Sequence, residues 1–393
     1  MSAPMSAGFH PAAGPDAADQ SGARLRVLFL SWRDRGHPEA GGAEAFLDHV
    51  SRDLATRGHD VTVFTARYPG ARLDETVDGC KLRRRGGRFS VYARAALELA
   101  RRRRDFDVVI DVQNGLPFWA PLFTAKPVIN LVHHVHREQW PEVFGPFRAR
   151  LGWWLESRVA PRVYRGSRYL VVSHATKLEL TELGVDRDRI EVVYSGREVL
   201  PGSPATAVVA PTEHPSVVVL GRLVPHKRVE LAISAVAQLS QRHPGLVLTV
   251  VGHGYWRPQL VAYATSIGAT AQVQFLGFVE EDLQNRALAE SWLNVLPSVK
   301  EGWGLAIIEA GAHGVPSIAF RDASGTTESI VDGTTGLLVD NEADFVATIG
   351  ELLSDTARRQ EMGVKAKTFS EQFTWQATTD GVEALLSLSS TPT

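Results

Sequence analysis

Residues 293–320, LNVLPSVKEGWGLAIIEAGAHGVPSIAF, decide the fold. LNVLPS is a short apolar run that reads as a buried strand, GLAIIEAGAHG reads as a helix, and VPSIAF reads as a second strand. A strand, a helix and a strand in this order make a parallel crossover. The first connection holds Gly302 and Gly304 around Trp303, followed by Leu305. Glycines there let backbone N–H groups come close to a ligand. Glu301 follows the strand, and Glu309 lies on the helix with seven residues between the two. Carboxylates so placed can accept hydrogen bonds from vicinal hydroxyls. The same pair also fits a capping glutamate and a surface glutamate, so the spacing alone leaves both readings open.

The alternation extends in both directions. SVVVLGR (216–222), LVLTVVGHG and QVQFLG read as strands, with helical patterns in VELAISAVAQLSQRHP and WRPQLVAYATSIG between them. The first half repeats the plan. RVLFLSW, HDVTVFTA, DVVIDV (107–112), PVINLV (127–132), RYLVVS (168–173) and IEVVYSG (190–196) read as strands. Phe46, Leu47, Val50 and Leu54 recur at helical spacing after the first of them, and Gly58 supplies a stop. Residues 201–215 carry four prolines and read as a linker. The expected organisation is α/β: a leader over 1–23, a Rossmann-like doubly wound domain over 24–200 and a second over 216–372. A final helix over 373–388 either belongs to the second domain or crosses back to the first. Ligands of open parallel sheets bind beyond the carboxyl ends of the strands, so two facing domains make one cleft.

Composition narrows the class. The chain has 393 residues, of which 44% are hydrophobic and 22% charged, a globular balance that allows two domains. A single cysteine, Cys80, leaves no internal disulfide and points to a reducing compartment. The formal charge of −2 hides a split: residues 1–200 carry 30 basic and 24 acidic side chains, and residues 201–393 carry 12 and 20. The two halves are expected to face different partners. No apolar run is long enough to span a membrane, and the first residues lack the pattern of a signal peptide.

Several residues beyond strand ends can carry chemistry. Arg222 and Lys227 flank the loop after SVVVLG, before a helix, where two cations suit a diphosphate. Alone they would equally be solvated surface charges. Gly252 and Gly254 form a G-x-G turn, and Glu328 lies in GTTESIVDGTTGLLV. In the first half, Gly41-Gly42-Ala43-Glu44 occupies the first strand-to-helix loop, and His133, His134 and His136 follow PVINLV. A three-histidine zinc site lacks a fourth ligand at suitable spacing, so no metal is expected.

Taken together, Gly221-Arg222…Lys227, Gly252-His253-Gly254, Glu301…Glu309 and Gly325…Glu328…Asp332-Gly333…Gly336-Leu337-Leu338-Val339 resemble, in order, the marks of family 4 retaining glycosyltransferases of the GT-B architecture. The resemblance covers residues 25–385. It implies that Arg222, Lys227 and the Gly42 loop approach the donor diphosphate and that Glu309 holds the nucleotide ribose. It further implies that Glu301 holds donor-sugar hydroxyls and that His133 stands by the anomeric centre. Backbone around Gly302, Trp303, Gly304 and Leu305 would support sugar and phosphates. Trp303 stands where the family often has Phe, and Ser195 replaces the usual Asn before Gly196. The implied donor is a nucleoside-diphosphate sugar of GDP-mannose or UDP-hexose type, with no cofactor and no metal.

The stretches 81–104 and 147–165 are rich in arginine. The first holds ten basic residues against one acid, Glu98. They read either as solvated surface or as a face for an anionic membrane or lipid-linked acceptor. A cytoplasmic location on the inner face of a membrane follows from that second reading. A nucleotide-sugar epimerase, or a transferase for a soluble small acceptor, is the alternative. An NAD-type module lacks its G-x-G-x-x-G after RVLFLSW, and nucleic-acid binding is not expected.

Overall fold

The computed structural model describes residues 24–197 and 210–390. The expected leader, 1–23, and residues 201–209 of the expected linker lie outside the described residues.

The first sheet contains β1 (Arg26–Leu30), β2 (Asp60–Thr65), β3 (Asp74–Val77), β4 (Cys80–Arg84), β5 (Val108–Gln113), β6 (Val128–Val132), β7 (Arg168–Val171) and β8 (Ile190–Val192). Their spatial order is β3-β4-β2-β1-β5-β6-β7-β8, parallel apart from the β3–β4 hairpin. The second sheet contains β9 (Ser216–Leu220), β10 (Val247–Val251), β11 (Val273–Gly277), β12 (Leu293–Leu296), β13 (Ser317–Phe320) and β14 (Gly336–Val339). It runs β11-β10-β9-β12-β13-β14, with parallel pairing throughout. In both sheets the strand order reverses beside the first strand, between β1 and β5 and between β9 and β12. Those are the switch points at which open sheets bind ligands.

The apolar runs are continuous because both sheet faces are covered. In β1, Val27 and Phe29 pack on Phe46, Leu47, Val50 and Leu54 of the helix Gly42–Thr56. Leu28 and Leu30 point the other way, onto Val91, Ala95 and Leu99 of the helix Ser90–Arg101.

The β3–β4 hairpin is absent from the sequence reading. Its residues are mostly polar because it sits at the sheet edge, with exposure alternating along β3. It also changes the basic stretch 81–104, which starts as a strand rather than a helical surface. Most of its early cations are neutralised: Lys81 by Asp60, Arg83 by Glu98, Arg84 by Asp34 and Glu75, and Arg85 by Asp74.

The helix Trp375–Ser390 packs on the first sheet's layer. Val382, Leu385 and Leu386 share a core with Val27 and Phe46. Arg57 bonds Asp380 and Glu383 at 2.7 Å each, and the His59 ring lies 2.9 Å from Glu383. Gly196 lies at this junction: a Cβ there would stand 2.2 Å from the Trp375 backbone nitrogen. That packing explains why a glycine follows Ser195.

Candidate active site

The carboxyl ends of the two sheets meet at a junction walled by glycines. His133 follows β6 and Gly302 lies beyond β12. A Cβ on Gly302 would stand 2.1 Å from the His133 carbonyl oxygen. Gly325 closes the other side of the same loop, its Cβ position 2.4 Å from the Gly302 carbonyl oxygen. Gly304, at φ +84°, then caps the helix Leu305–Ala312 in a left-handed conformation that favours glycine. From the first domain, Gly41 comes within 3.1 Å of the Arg222 side chain and Gly42 within 3.9 Å of Leu305, measured from their Cβ positions.

Around this junction the structure gathers the residues singled out from the sequence. Lys227 Nζ bonds Glu301 Oε1 at 2.5 Å, so the expected phosphate cation and the expected sugar carboxylate are an ion pair. Arg222 is half-buried, and its side chain makes no hydrogen bond or ion pair among the described residues. Burial lowers its pKa, Arg33 repels it, and Glu44, Glu39 and Glu301 pull the other way. Glu309 is half-buried on the helix Leu305–Ala312. Burial pushes its carboxyl up to about 7, against the opposing charge of Arg35 and a bond from Gln284.

His133 is buried, with its ring edge-on to Phe46 at 5.4 Å. Its Nε2 is buried without a partner. Burial drives its pKa down to about 4, although Glu44 pulls it up. The imidazole is therefore neutral at pH 7 and can offer one donor and one acceptor.

Other expected features have structural explanations. The Trp303 ring faces an aromatic cluster with Tyr194 at 4.3 Å and Phe373 at 4.9 Å, so only its backbone can serve the cleft. Glu156 holds His136 through the ring and the backbone N–H at 3.1 Å. Among the described residues no group of three or more His, Cys, Asp or Glu is placed to hold a metal ion. The G-x-G turn is a packing device: Cβ atoms on Gly252 and Gly254 would stand 1.9 and 2.0 Å from carbonyl oxygens of the Arg222 loop.

The sequence reading missed Arg33 and named Glu44 and Glu328 without the contacts they make. Arg33, just past β1, is buried and bonds Glu44 Oε1 at 2.9 Å, while the Gly41 N–H bonds Glu44 Oε2 at 2.7 Å. Burial would raise the Glu44 carboxyl, but Arg33, Arg222, the Gly41 N–H and His133 hold it below its ordinary value. The glutamate three residues into a helix after a glycine pair was the available signal. Glu328 binds the first domain. It accepts from His174 N at 2.9 Å, Ala175 N at 2.7 Å and Tyr194 Oη at 2.9 Å, capping the helix His174–Glu182 across the interface. Glu179 of that helix is bonded by Lys300 and Ser324.

Comparison with known proteins places this architecture. The family described as "Glycosyl transferases group 1" matches residues 206–369, and "Glycosyltransferase Family 4" matches residues 40–199. The chain belongs to this family of GT-B proteins, one description falling on each sheet. It is 36% identical to a D-inositol 3-phosphate glycosyltransferase of Nocardia farcinica over 221 residues, 52% of this chain and 49% of that protein. The chain thus spans about half the length of that relative. A GDP-mannose-dependent alpha-(1-6)-phosphatidylinositol monomannoside mannosyltransferase of Mycolicibacterium smegmatis is 26% identical over 88% of this chain and 94% of its own. Among solved structures, a sucrose-phosphate synthase of Thermosynechococcus elongatus superposes with TM-score 0.78 at 20% identity, over 92% of this chain and 98% of that one. Anabaena HepE with UDP-glucose gives 0.72 at 19% identity, over 93% and 100%.

The His133 environment predicts an imidazole titration near pH 4, lower still in Glu44→Gln, which removes the charge that raises it. Nitrogen-15 NMR of the ring checks this; a midpoint near the ordinary value of 6.5 would contradict the buried geometry.

Proposed function

We propose that the chain is a retaining glycosyltransferase. It moves a hexosyl group from a nucleoside-diphosphate sugar, of GDP-mannose or UDP-hexose type, to an acceptor hydroxyl in glycolipid, polysaccharide or glycoconjugate synthesis. The observation that carries the reading is the convergence of Arg222, the Lys227–Glu301 pair, Glu309 and the Leu305 helix N-terminus at one glycine-walled junction. The names of the mannosyltransferase relative and of the HepE complex support both donor types.

In this mechanism Glu309 accepts from the ribose hydroxyls and Glu301 from the sugar hydroxyls. Arg222, Lys227, the Gly42 loop and the helix N-terminus face the diphosphate. As the bond from the anomeric carbon to the diphosphate oxygen breaks, negative charge grows on the leaving group, where these fixed cations and N–H dipoles stabilise it. His133, neutral, positions the sugar near the anomeric centre. The acceptor oxygen attacks the face the leaving group vacates, and its proton passes to the departing diphosphate. Because attack comes from the face the leaving group vacates, configuration is retained without a protein nucleophile. The cations do the work a metal would do elsewhere, and the enzyme acts without one. Turnover undiminished in excess EDTA is expected; loss restored by a divalent ion overturns this part.

Lys227→Ala and Glu309→Ala should each lower kcat/KM by about 100-fold or more in a protein that stays folded. Near-normal turnover in both contradicts the site. Because the Glu309 carboxyl titrates near 7, donor affinity should fall as pH drops through that value, and Glu309→Gln should flatten the profile. An epimerase would instead convert donor alone, without acceptor.

The acceptor side carries the membrane reading. On the helix Pro146–Trp154, Phe147 is 80% exposed, Leu151 46% and Trp154 54%, all along one face. Arg148, Arg150, Arg158 and Arg165 lie exposed along the same segment and make no ion pair among the described residues. No helix among them is long and apolar enough to cross a membrane. An exposed apolar stripe among free arginines suits the surface of an anionic bilayer and a lipid-linked acceptor. The protein should float with phosphatidylglycerol vesicles but not with phosphatidylcholine, and Phe147→Ser with Trp154→Ser should abolish flotation. Equal recovery with both lipids returns the acceptor to the soluble phase.

A further inference from the structure

Beyond the donor site, a second set of polar groups lies at the carboxyl ends of β5 and β6. Gln139 is 7% exposed, and both its amide oxygen and its amide nitrogen are buried without a partner. Asn114 Nδ2 is buried without one as well. Buried polar side chains almost always find partners, and an amide orphaned at both ends is costly unless something supplies them.

Register and packing bring together the segments that carry these residues. Gln113 pairs with Val132, so Asn114 and His133 are the next residues on neighbouring strands. The Trp140 ring lies over Gly115, with a Cβ there only 2.9 Å from the indole. That ring anchors the short helix Gln139–Val143 above the end of β5. Gln113 cannot satisfy Gln139 without leaving its own bonds, to Asn130 at 2.8 Å and to the Gly115 carbonyl at 3.3 Å. Those bonds fix the turn that carries Asn114. Further along, Glu142 stands 3.5 Å from His226 of the opposite domain, so this segment borders the cleft facing Arg222 and Lys227.

We propose that Asn114 and Gln139 form an acceptor subsite that recognises the hydroxyls of a neutral polyol. This rests on the transferase reading above. The chemistry favours a hydroxyl because a hydroxyl donates and accepts, and the Gln139 amide offers both an acceptor and donors in one buried spot. A phosphate or carboxylate only accepts, and it would meet the Gln139 carbonyl oxygen with nothing to give it. The donor groups lie on the opposite domain, so the acceptor is the partner assigned here. The two sides divide the work: cations and carboxylates for the donor, amides for the acceptor.

A protein-structural amide and a ligand-binding amide respond in opposite ways to Gln139→Leu. With no protein partner to lose, that substitution should leave the thermal midpoint unchanged or raised. Transfer from UDP-glucose or GDP-mannose to methyl α-D-mannopyranoside, methyl α-D-glucopyranoside and myo-inositol should show at least one accepted polyol. Gln139→Leu should then lower kcat/KM for that polyol at least tenfold through its KM, with donor KM unchanged; Asn114→Ala should act in the same direction. A destabilised Gln139→Leu with unaltered acceptor KM overturns the subsite. So does a raised donor KM, acceptance of only glucose 6-phosphate among added probes, or donor hydrolysis with no polyol accepted. Failure of both nucleotide sugars to bind the wild-type protein overturns the transferase reading instead.

Discussion

Everything in the cleft depends on how closely two backbones can approach. The Glu301–Gly304 loop runs between the His133 carbonyl on one side and Gly325 on the other, and at Gly302 there is no room for a Cβ. Close approach lets a carboxylate of the second domain, Lys227 beside it, and a histidine of the first share one small volume. Glu328 holds the approach by capping a helix of the first domain with its carboxylate. The helix Trp375–Ser390 reinforces it by carrying the chain back into the first core. The glycines therefore serve geometry first. The proposed chemistry follows from what that geometry leaves facing the cleft.

Charge in the cleft is organised by pairing. Lys227 is held by Glu301 and Arg33 by Glu44. Arg222 stands apart, half-buried and unpaired among the described residues. A buried pair contributes little net stability, yet removing one partner leaves an uncompensated charge. Such pairs fix direction, and in the proposed site they pre-aim cations at a leaving group. The basic first half looks different in three dimensions. Much of its early arginine content is spent on ion pairs around the β3–β4 hairpin. Unpaired positive charge among the described residues remains at Arg101, Arg103 and Arg104 and along residues 148–165, the latter beside exposed Phe147 and Trp154.

The doubly wound plan was legible because buried parallel strands are continuous apolar runs and their helices keep a regular period. Arg222, Lys227 and Glu301 could be singled out because they follow strand ends, and Glu309 because it lies on the helix that comes next. The β3–β4 hairpin was not, since an edge strand needs no apolar face. The Arg33–Glu44 pair was hidden because Arg33 is one of many arginines that look alike in one dimension, and burial alone distinguishes it. Gln139 was invisible for a related reason: a glutamine is ordinary surface until folding buries it without a partner. The G-x-G turn reads the same in sequence and in structure, a tight turn whose glycines answer to neighbouring carbonyls.

Amide hydrogen exchange with saturating GDP, UDP, ADP or dTDP tests the central claim most directly. At least one nucleotide should slow exchange in residues 221–228 and 301–309 together, leaving the remote helix Glu342–Ser354 unchanged. If none of the four protects either loop, the cleft is not a nucleotide-sugar site.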